Sequence, residues 1–322
     1  MKKIRVGVIG VGYLGKFHAQ KYAAMDDVVL AGVVDVDPTI AARVAATCNT
    51  QSYTDFRKLL DQVDAVSVVV PTSHHHEVAS ACLDRGIHLL IEKPMTSSLV
   101  EADDLIARAD AKDCILQVGL LERFNPAVVA MREHLTTPLF IESHRIHSFK
   151  SRGIDVDVVL DLMIHDIDII LSIVPSPLAT IHTVGVPVVT PATDIANARL
   201  IFENGCTANV TVSRISKENI RRMRIFQPRA YLSVDYAKKE IMVIKQQAEL
   251  DENGLPREDL QKYSFADQDA LESELRDFVA NVRNHTMPLV SGRAGRRALE
   301  VAMQIMHQNR QHMEKFKSLL QG

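Results

Sequence analysis

Short apolar runs alternate with mixed, helix-length stretches over residues 1–121. IRVGVIG (4–10), VVLAGVVDV (28–36), AVSVVV (65–70), HLLIEK (88–93) and ILQVGL (115–120) are the apolar runs. The stretches 13–25, 38–47, 74–86 and 99–112 lie between them, and Asp37-Pro38 opens the second. Strands apolar on both faces and spaced by helices predict a parallel sheet covered on both sides. The pattern changes after residue 121. Helices are expected at 126–135 and 156–174, a strand in LFIESHRIHSF (139–149), and several strands over 178–246 with a turn at Asn204-Gly205. Strands joined by short turns predict an antiparallel sheet. The polar stretch 247–268 reads as an exposed excursion, and 269–285 and 292–319 as helices.

Between the first strand and the first helix stands Gly10-Val11-Gly12-Tyr13-Leu14-Gly15, and Asp35 ends the second strand. Alone, the glycine spacing means little. In a strand–loop–helix context with an acidic residue about twenty positions on, it is a dinucleotide fingerprint. Gly10 permits the tight turn, Gly12 lets the backbone approach a pyrophosphate at the helix N-terminus, and Gly15 allows close packing of helix on strand. Asp35 accepts hydrogen bonds from a ribose diol and repels a 2′-phosphate, and Val36 and Asp37 follow it without a cation. NAD is expected over NADP. A glycine turn that binds nothing is the competing reading.

Length and charge narrow the class further. At roughly 100–200 residues per domain, 322 residues predict two domains, and a 47% hydrophobic content fills a core in each. A formal net charge of −3 gives no general attraction to nucleic acid or to an anionic membrane. Four cysteines without paired spacing fit a reducing compartment. The opening MKKIRVGVIGVG resembles a secretion signal only superficially, since glycines break the apolar run and no cleavage pattern precedes Asp26-Asp27. A cytoplasmic protein without membrane insertion is expected. His74, His75 and His76 are consecutive, so on a helix they diverge, and no metal site is expected.

The stretch VLDLMIHDIDII (159–170) is apolar except for Asp161, His165, Asp166 and Asp168. With helical spacing, Asp157, Asp161, His165 and Asp168 form one polar stripe on an otherwise buried helix. Buried charge needs a partner or a ligand. Asp161, one turn before His165, can orient the imidazole and raise its basicity, which suits a proton acceptor near neutral pH. A salt-bridge or capping network that satisfies itself is the alternative. Asp166 lies off the stripe and reads as an exposed or capping charge.

The glycine loop, VVVPTSHHHEVA (68–79) and LLIEKPMTSS (89–98) together resemble the Gfo/Idh/MocA oxidoreductase family. The resemblance covers nearly the whole chain. It implies an α/β fold: a Rossmann doubly wound parallel sheet over 1–121, binding NAD, and a C-terminal α/β domain over 122–322 with a large open, mostly antiparallel sheet. The second domain is expected to bind substrate and to form a homodimer or homotetramer, its last helices packing back toward the first. The implied catalytic residues are Lys93, Asp161 and His165. The implied cofactor set is Gly10, Gly12, Tyr13, Leu14, Gly15, Asp35, Pro71, Thr72, His76, Glu92 and Lys93. Lys93 stands at a strand end, where its ammonium can stabilise a developing alkoxide, and the family's following proline, here Pro94, is commonly cis. Met163 stands where the family often has glycine, two residues before the histidine.

Arg123-Phe124-Asn125-Pro126 is similar to the segment in the branch that acts on nucleotide sugars. That implies oxidation at C3 of UDP-N-acetylglucosamine, with an aminotransferase using the ketone in diaminosugar synthesis for lipid A. Arg123, Asn125, Asp161 and His165 are the expected substrate contacts. Asn125-Pro126 also reads as a helix start. Lys217, Arg221, Arg222 and Arg224 read as an exposed charged face. Two readings compete: a dehydrogenase of a free polyol such as an inositol, and a non-catalytic NAD-binding regulator.

Overall fold

The computed structural model describes residues 3–149 and 156–321. The chain divides into two compact units, Met1–Leu121 with Ala270–Arg297, and Glu122–Asp269 with Ala298–Gly322.

The first unit is built on six strands: β1 (Ile4–Ile9), β2 (Val28–Val34), β3 (Ser52–Tyr53), β4 (Ala65–Val68), β5 (His88–Glu92) and β6 (Leu116–Gly119). They lie in the order β3-β2-β1-β4-β5-β6 and every pair is parallel. This is the doubly wound order, with its reversal beside β1, where such sheets bind ligands at the strands' carboxyl ends. The intervening helices are α1 (Gly15–Ala23), α2 (Pro38–Cys48), α3 (His75–Asp84) and α4 (Leu99–Ala111). Their starts are capped locally. The Asp37 carboxylate accepts from the Thr39 and Ile40 N–H groups ahead of Pro38, and Ser98 Oγ accepts from the Glu101 N–H.

A late helix, α7 (Ala270–Asn284), completes this unit. Its Leu275, Phe278 and Val279 join Val6 and Val8 of β1, Ala19 and Tyr22 of α1 and Leu90 of β5 in one core. Beyond it the Val118 N–H donates to the Val290 carbonyl at 2.9 Å. A Cβ on Gly295 would lie 2.5 Å from the Val118 side chain, so the first turns of α8 (Gly292–Gln321) press on β6.

The second unit carries an eight-stranded sheet: β7 (Phe140–Ile146), β8 (Leu178–Val186), β9 (Ile195–Phe202), β10 (Thr207–Ser213), β11 (Ile220–Gln227), β12 (Ala230–Asp235), β13 (Glu240–Leu250) and β14 (Pro256–Ser264). The order is β14-β13-β12-β11-β7-β10-β9-β8, and only β7 and β10 run parallel. The helices α5 (Pro126–Met131) and α6 (Ile164–Ile173) belong to it. The stretch 247–268 is not a loose excursion: most of it forms the outer end of the β13–β14 hairpin. Its turn is set by the Asp251 carboxylate, which accepts from the Asn253 and Leu255 N–H groups, and by Gly254 at φ +76°. Backbone pairing there proceeds with both side-chain faces in water, so no apolar alternation announces it. Among the described residues no helix is long and apolar enough to cross a membrane, and all four cysteines are free thiols.

A Cβ on Gly15 would stand 1.8 Å from the Gly10 carbonyl oxygen, a backbone atom that cannot step aside. Gly15→Ala is expected to cost about 1–3 kcal/mol and to abolish NADH binding. Thermal melts and NADH fluorescence titration check both.

Candidate active site

The glycine loop has its shape from three different demands. Gly10 has φ +87°, and a Cβ there would lie 2.7 Å from the Val69 carbonyl oxygen. Gly15 packs on Gly10 itself. At Gly12 a Cβ would meet no protein atom within 4 Å. Packing therefore does not require glycine at 12, and what it leaves clear is the space before the loop. The Asp35 carboxylate accepts from the Val11 N–H and the Asp37 N–H, both at 3.1 Å, which pins it at the loop's mouth. Tyr13 is exposed, edge-on to Phe17, and the Lys16 ammonium stands 5.5 Å and 4.8 Å from the two ring centres. Pro71 and Thr72 follow the exit of β4, past the Val69 that crowds Gly10.

Two strands away, β5 ends in Glu92 and passes into Lys93-Pro94, whose peptide bond is cis. The corner is braced from two sides. The Glu92 carboxylate accepts from the Lys93 N–H and stands 3.3 Å from His18 Nε2 of α1. It lies flat on β6: a Cβ on Gly119 would be 2.8 Å from its Oε1. From the other side, His75 at the start of α3 is buried, with Nδ1 3.0 Å from the Pro94 carbonyl and Nε2 2.9 Å from the Val70 carbonyl. Burial lowers the pKa of this imidazole, against the pull of those two carbonyls and of Glu92. A neutral ring has one N–H, so it donates to one carbonyl at a time. His75 thus ties the ends of β4 and β5 together.

In the second unit the stretch 156–174 is not one regular α-helix. Val159–Met163 form a π-helical turn, and α6 follows. Asp157 caps the entry, its carboxylate accepting from the Val159 N–H at 2.9 Å. Single π turns inside helices recur at functional sites. Asp157, Leu160, Asp161 and His165 are the half-buried positions over 157–173 ahead of Leu171 and Ser172, and the rest are buried. Asp161 and His165 therefore share the accessible side of this turn.

The neighbouring charges are buried and matched. The Arg145 guanidinium of β7 donates to both Asp166 oxygens and to Glu122, and Ser143 Oγ donates to Asp166. Burial opposes the charge on Arg145, yet Asp166 and Glu122 outweigh it and hold its pKa above the ordinary arginine value. Burial likewise pushes Glu122 up, but Arg145 leaves it lower than usual. Arg123 is 6% exposed and donates to the Asp168 carboxylate at 3.2 Å and to its carbonyl.

Comparison with known proteins agrees with this fold. Residues 4–120 match an oxidoreductase family with an NAD-binding Rossmann fold, and residues 137–232 match the Gfo/Idh/MocA C-terminal domain. The chain belongs to the Gfo/Idh/MocA family. It is 40% identical over 306 residues to a UDP-N-acetylglucosamine 3-dehydrogenase of Acidithiobacillus ferrooxidans, covering 95% of this chain and 97% of that one. A solved structure of that enzyme superposes with a TM-score of 0.88 at 39% identity, again over 95% and 97%. A myo-inositol 2-dehydrogenase of Thermotoga maritima is 27% identical over 92% of this chain and 93% of its own. Levoglucosan dehydrogenase, solved with NADH, shares the fold at a TM-score of 0.84 and 18% identity, over 96% and 97% of the chains.

NAD is the cofactor of this Gfo/Idh/MocA oxidoreductase, and the loop fits it. Clear space before Gly12 suits a pyrophosphate, and the pinned Asp35 carboxylate suits a ribose diol. His76 pairs with Asp104 of α4 at 2.7 Å, and it is the buried His75 that grips the Lys93-Pro94 corner. Of the expected substrate contacts, Arg123 is engaged by Asp168, while Asn125 caps α5 through the Ala127 N–H and donates to Glu122 and the Tyr236 carbonyl. Asp166 is corrected: it is fully buried, not an exposed or capping charge. Arg222 and Arg224 pair with Asp235 and Glu142 on the charged face of β11. His75 and Gly119, which brace the Lys93 corner, were not singled out from the sequence, because their neighbours Pro94, Val70 and Glu92 are brought to them by the sheet.

Gly119→Ala pushes on the Glu92 carboxylate and, through it, on the Lys93 amide. A displacement of about 1 Å can cost about 10- to 100-fold in rate, so kcat/KM is expected to fall by that factor with a cooperative melt retained. Steady-state kinetics beside calorimetry check it.

Proposed function

We propose that this chain oxidises the C3 hydroxyl of UDP-N-acetylglucosamine to the 3-keto nucleotide sugar. One observation carries the substrate: the 40% identity with the Acidithiobacillus enzyme runs through 95% of the chain, both units included. Oxidising a secondary alcohol removes a hydride from carbon and a proton from oxygen, and NAD, when bound, accepts the hydride. The proton falls to the protein. His165, on the accessible side of the π-helical turn, takes it, and Asp161 orients the ring. Lys93 hydrogen-bonds the same oxygen and stabilises its negative charge. Lys93 and His165 can exchange these roles. A 3-keto sugar is the carbonyl that an aminotransferase needs, which fits diaminosugar synthesis for lipid A. Free thiols fit a cytoplasmic setting.

Purified protein is mixed with NAD, UDP-N-acetylglucosamine, glutamate and an aminotransferase that removes the ketone. NADH is expected from wild type, and Lys93→Ala and His165→Ala are expected to lower kcat/KM by about 10²- to 10⁴-fold. The likeness to myo-inositol 2-dehydrogenase favours a free polyol as second reading. Turnover of myo-inositol but not of the nucleotide sugar, with no thermal protection by UDP alone, overturns the first. Unchanged function in Lys93→Ala would favour a regulator.

The exposed Val184 and Val186 of β8, with Val188 and Val189 just beyond, support a homo-oligomer formed through the second unit. Light scattering is expected to give a dimer or tetramer. A single 35.8 kDa species refutes it.

A further inference from the structure

Beneath the Lys93 corner the apolar core of the first unit holds a polar island. Six side chains from five elements meet there: His18 and Tyr22 of α1, Ser67 of β4, Glu92 of β5, Gln117 of β6 and Glu274 of α7. All are buried, and Glu92 at 9% is the most exposed of them. Tyr22 and Ser67 share a hydrogen bond of 2.9 Å. His18 faces Glu92 at 3.3 Å. Gln117 Nε2 donates to the Glu274 carbonyl at 3.1 Å, which fixes the height of α7 over β6. Gln117 and Gly119 are two apart on β6 and share a face, so α7 and the Glu92 carboxylate lie on the same side of the sheet.

The Glu274 carboxyl is the unexplained member. It is 0% exposed, and neither oxygen has a hydrogen-bond partner among the described residues. Among the described residues no lysine or arginine pairs with it. The charged and titratable groups that act on it are Glu92 from β5, Tyr22 from α1 and Asp277 from its own helix. A second buried carboxylate beside Glu92 would be repelled by it and would have no water to hold its charge.

We propose that Glu274 is a positioning residue for the Glu92-Lys93-Pro94 corner, held as a neutral acid beside the Glu92 carboxylate. Neutral, it lets Glu92 stay between His18 and the Lys93 N–H. Ionised, it drives Glu92 away from that N–H and loosens the backbone from which Lys93 works. Burial first, and then the charges of Glu92 and Asp277, raise its pKa far above the ordinary carboxylate range. The protonation state stands on this geometry alone. The link to Lys93 rests on the reading of Lys93 as a catalytic and cofactor-binding group.

The sign of the linkage gives the test. Above about pH 4.3, the ordinary glutamate value, the unfolded chain gives up this proton and the folded chain keeps it. Stability is therefore present in full below that pH and drains away as pH rises, until Glu274 ionises in the folded state. Glu274→Gln and Glu274→Met carry no such proton. His18, Tyr22 and Asp277 are common to all three proteins and largely cancel in the difference. The melting temperature of each variant minus that of wild type is expected to widen steadily from pH 5 to pH 8. The folding constants are expected to separate by up to about tenfold per pH step. In a Glu92→Gln background the widening is expected to shrink.

The positioning role has its own readout. The Kd for NADH, and kcat/KM for whichever alcohol the wild type oxidises, are expected to deteriorate at alkaline pH in wild type and to hold to higher pH in Glu274→Gln. A gap that is constant or narrows with pH overturns the neutral acid. A widening gap with superimposable NADH and kcat/KM profiles overturns the positioning role. Failure to oxidise UDP-N-acetylglucosamine would count against the substrate alone, because the melts and the NADH titration need none.

Discussion

A carboxylate taken almost wholly out of water must be matched by what surrounds it, and Glu92 is such a group. It reaches His18, the next residue's amide and the bare backbone of Gly119. Those contacts explain otherwise separate features of the first unit. Gly119 has no side chain because the carboxylate occupies that place. Helix α1 presents a histidine to the core, not another alanine or valine. Helix α7 arrives from the far end of the sequence and closes the same face, with a second acid in it. On the opposite side His75 grips the Pro94 and Val70 carbonyls. The Lys93 backbone is thereby held between a charged brace and an imidazole brace, at the end of the sheet where a doubly wound fold presents its chemistry.

The second unit meets the same physical problem with more charges. Arg145, Asp166 and Glu122 form a buried cluster, and Arg123 with Asp168 forms another pair beside it. Breaking one member leaves an unmatched ion in the core, a loss of about 3–5 kcal/mol in comparable networks. The cluster fixes the 122–125 segment and α6 relative to β7, so the π-helical turn is carried on a stiff support. Of the acids and imidazole that puzzled the sequence reading, Asp166 and Asp168 serve this internal matching. Asp161 and His165 remain on the accessible side. The self-satisfied network is therefore realised by Asp166 and Asp168, and the stripe left accessible is narrowed to Asp161 and His165.

What the sequence determined is what local patterning encodes. Apolar runs of strand length, the Asp37 and Ser98 helix starts and the glycine loop follow from side-chain period, capping chemistry and sterics within a few residues. The parallel sheet and the dinucleotide fingerprint were legible for that reason, while the Glu92-Lys93-Pro94 corner was implied by the family resemblance. The tertiary structure decided the questions that depend on distant partners. That Arg123 pairs with Asp168 turns on a residue 45 positions away, and no spacing reveals it. Which of three adjacent histidines is buried depends on where α3 begins against β5. The β13–β14 hairpin escapes detection because its side chains face water on both sides, while its backbone pairs all the same. Glu274 sits among polar residues in SELRDF, where it reads as surface charge. Only the docking of α7 against β6, 157 residues earlier in the chain, through Gln117 and the apolar core, turns it into a buried acid beside Glu92.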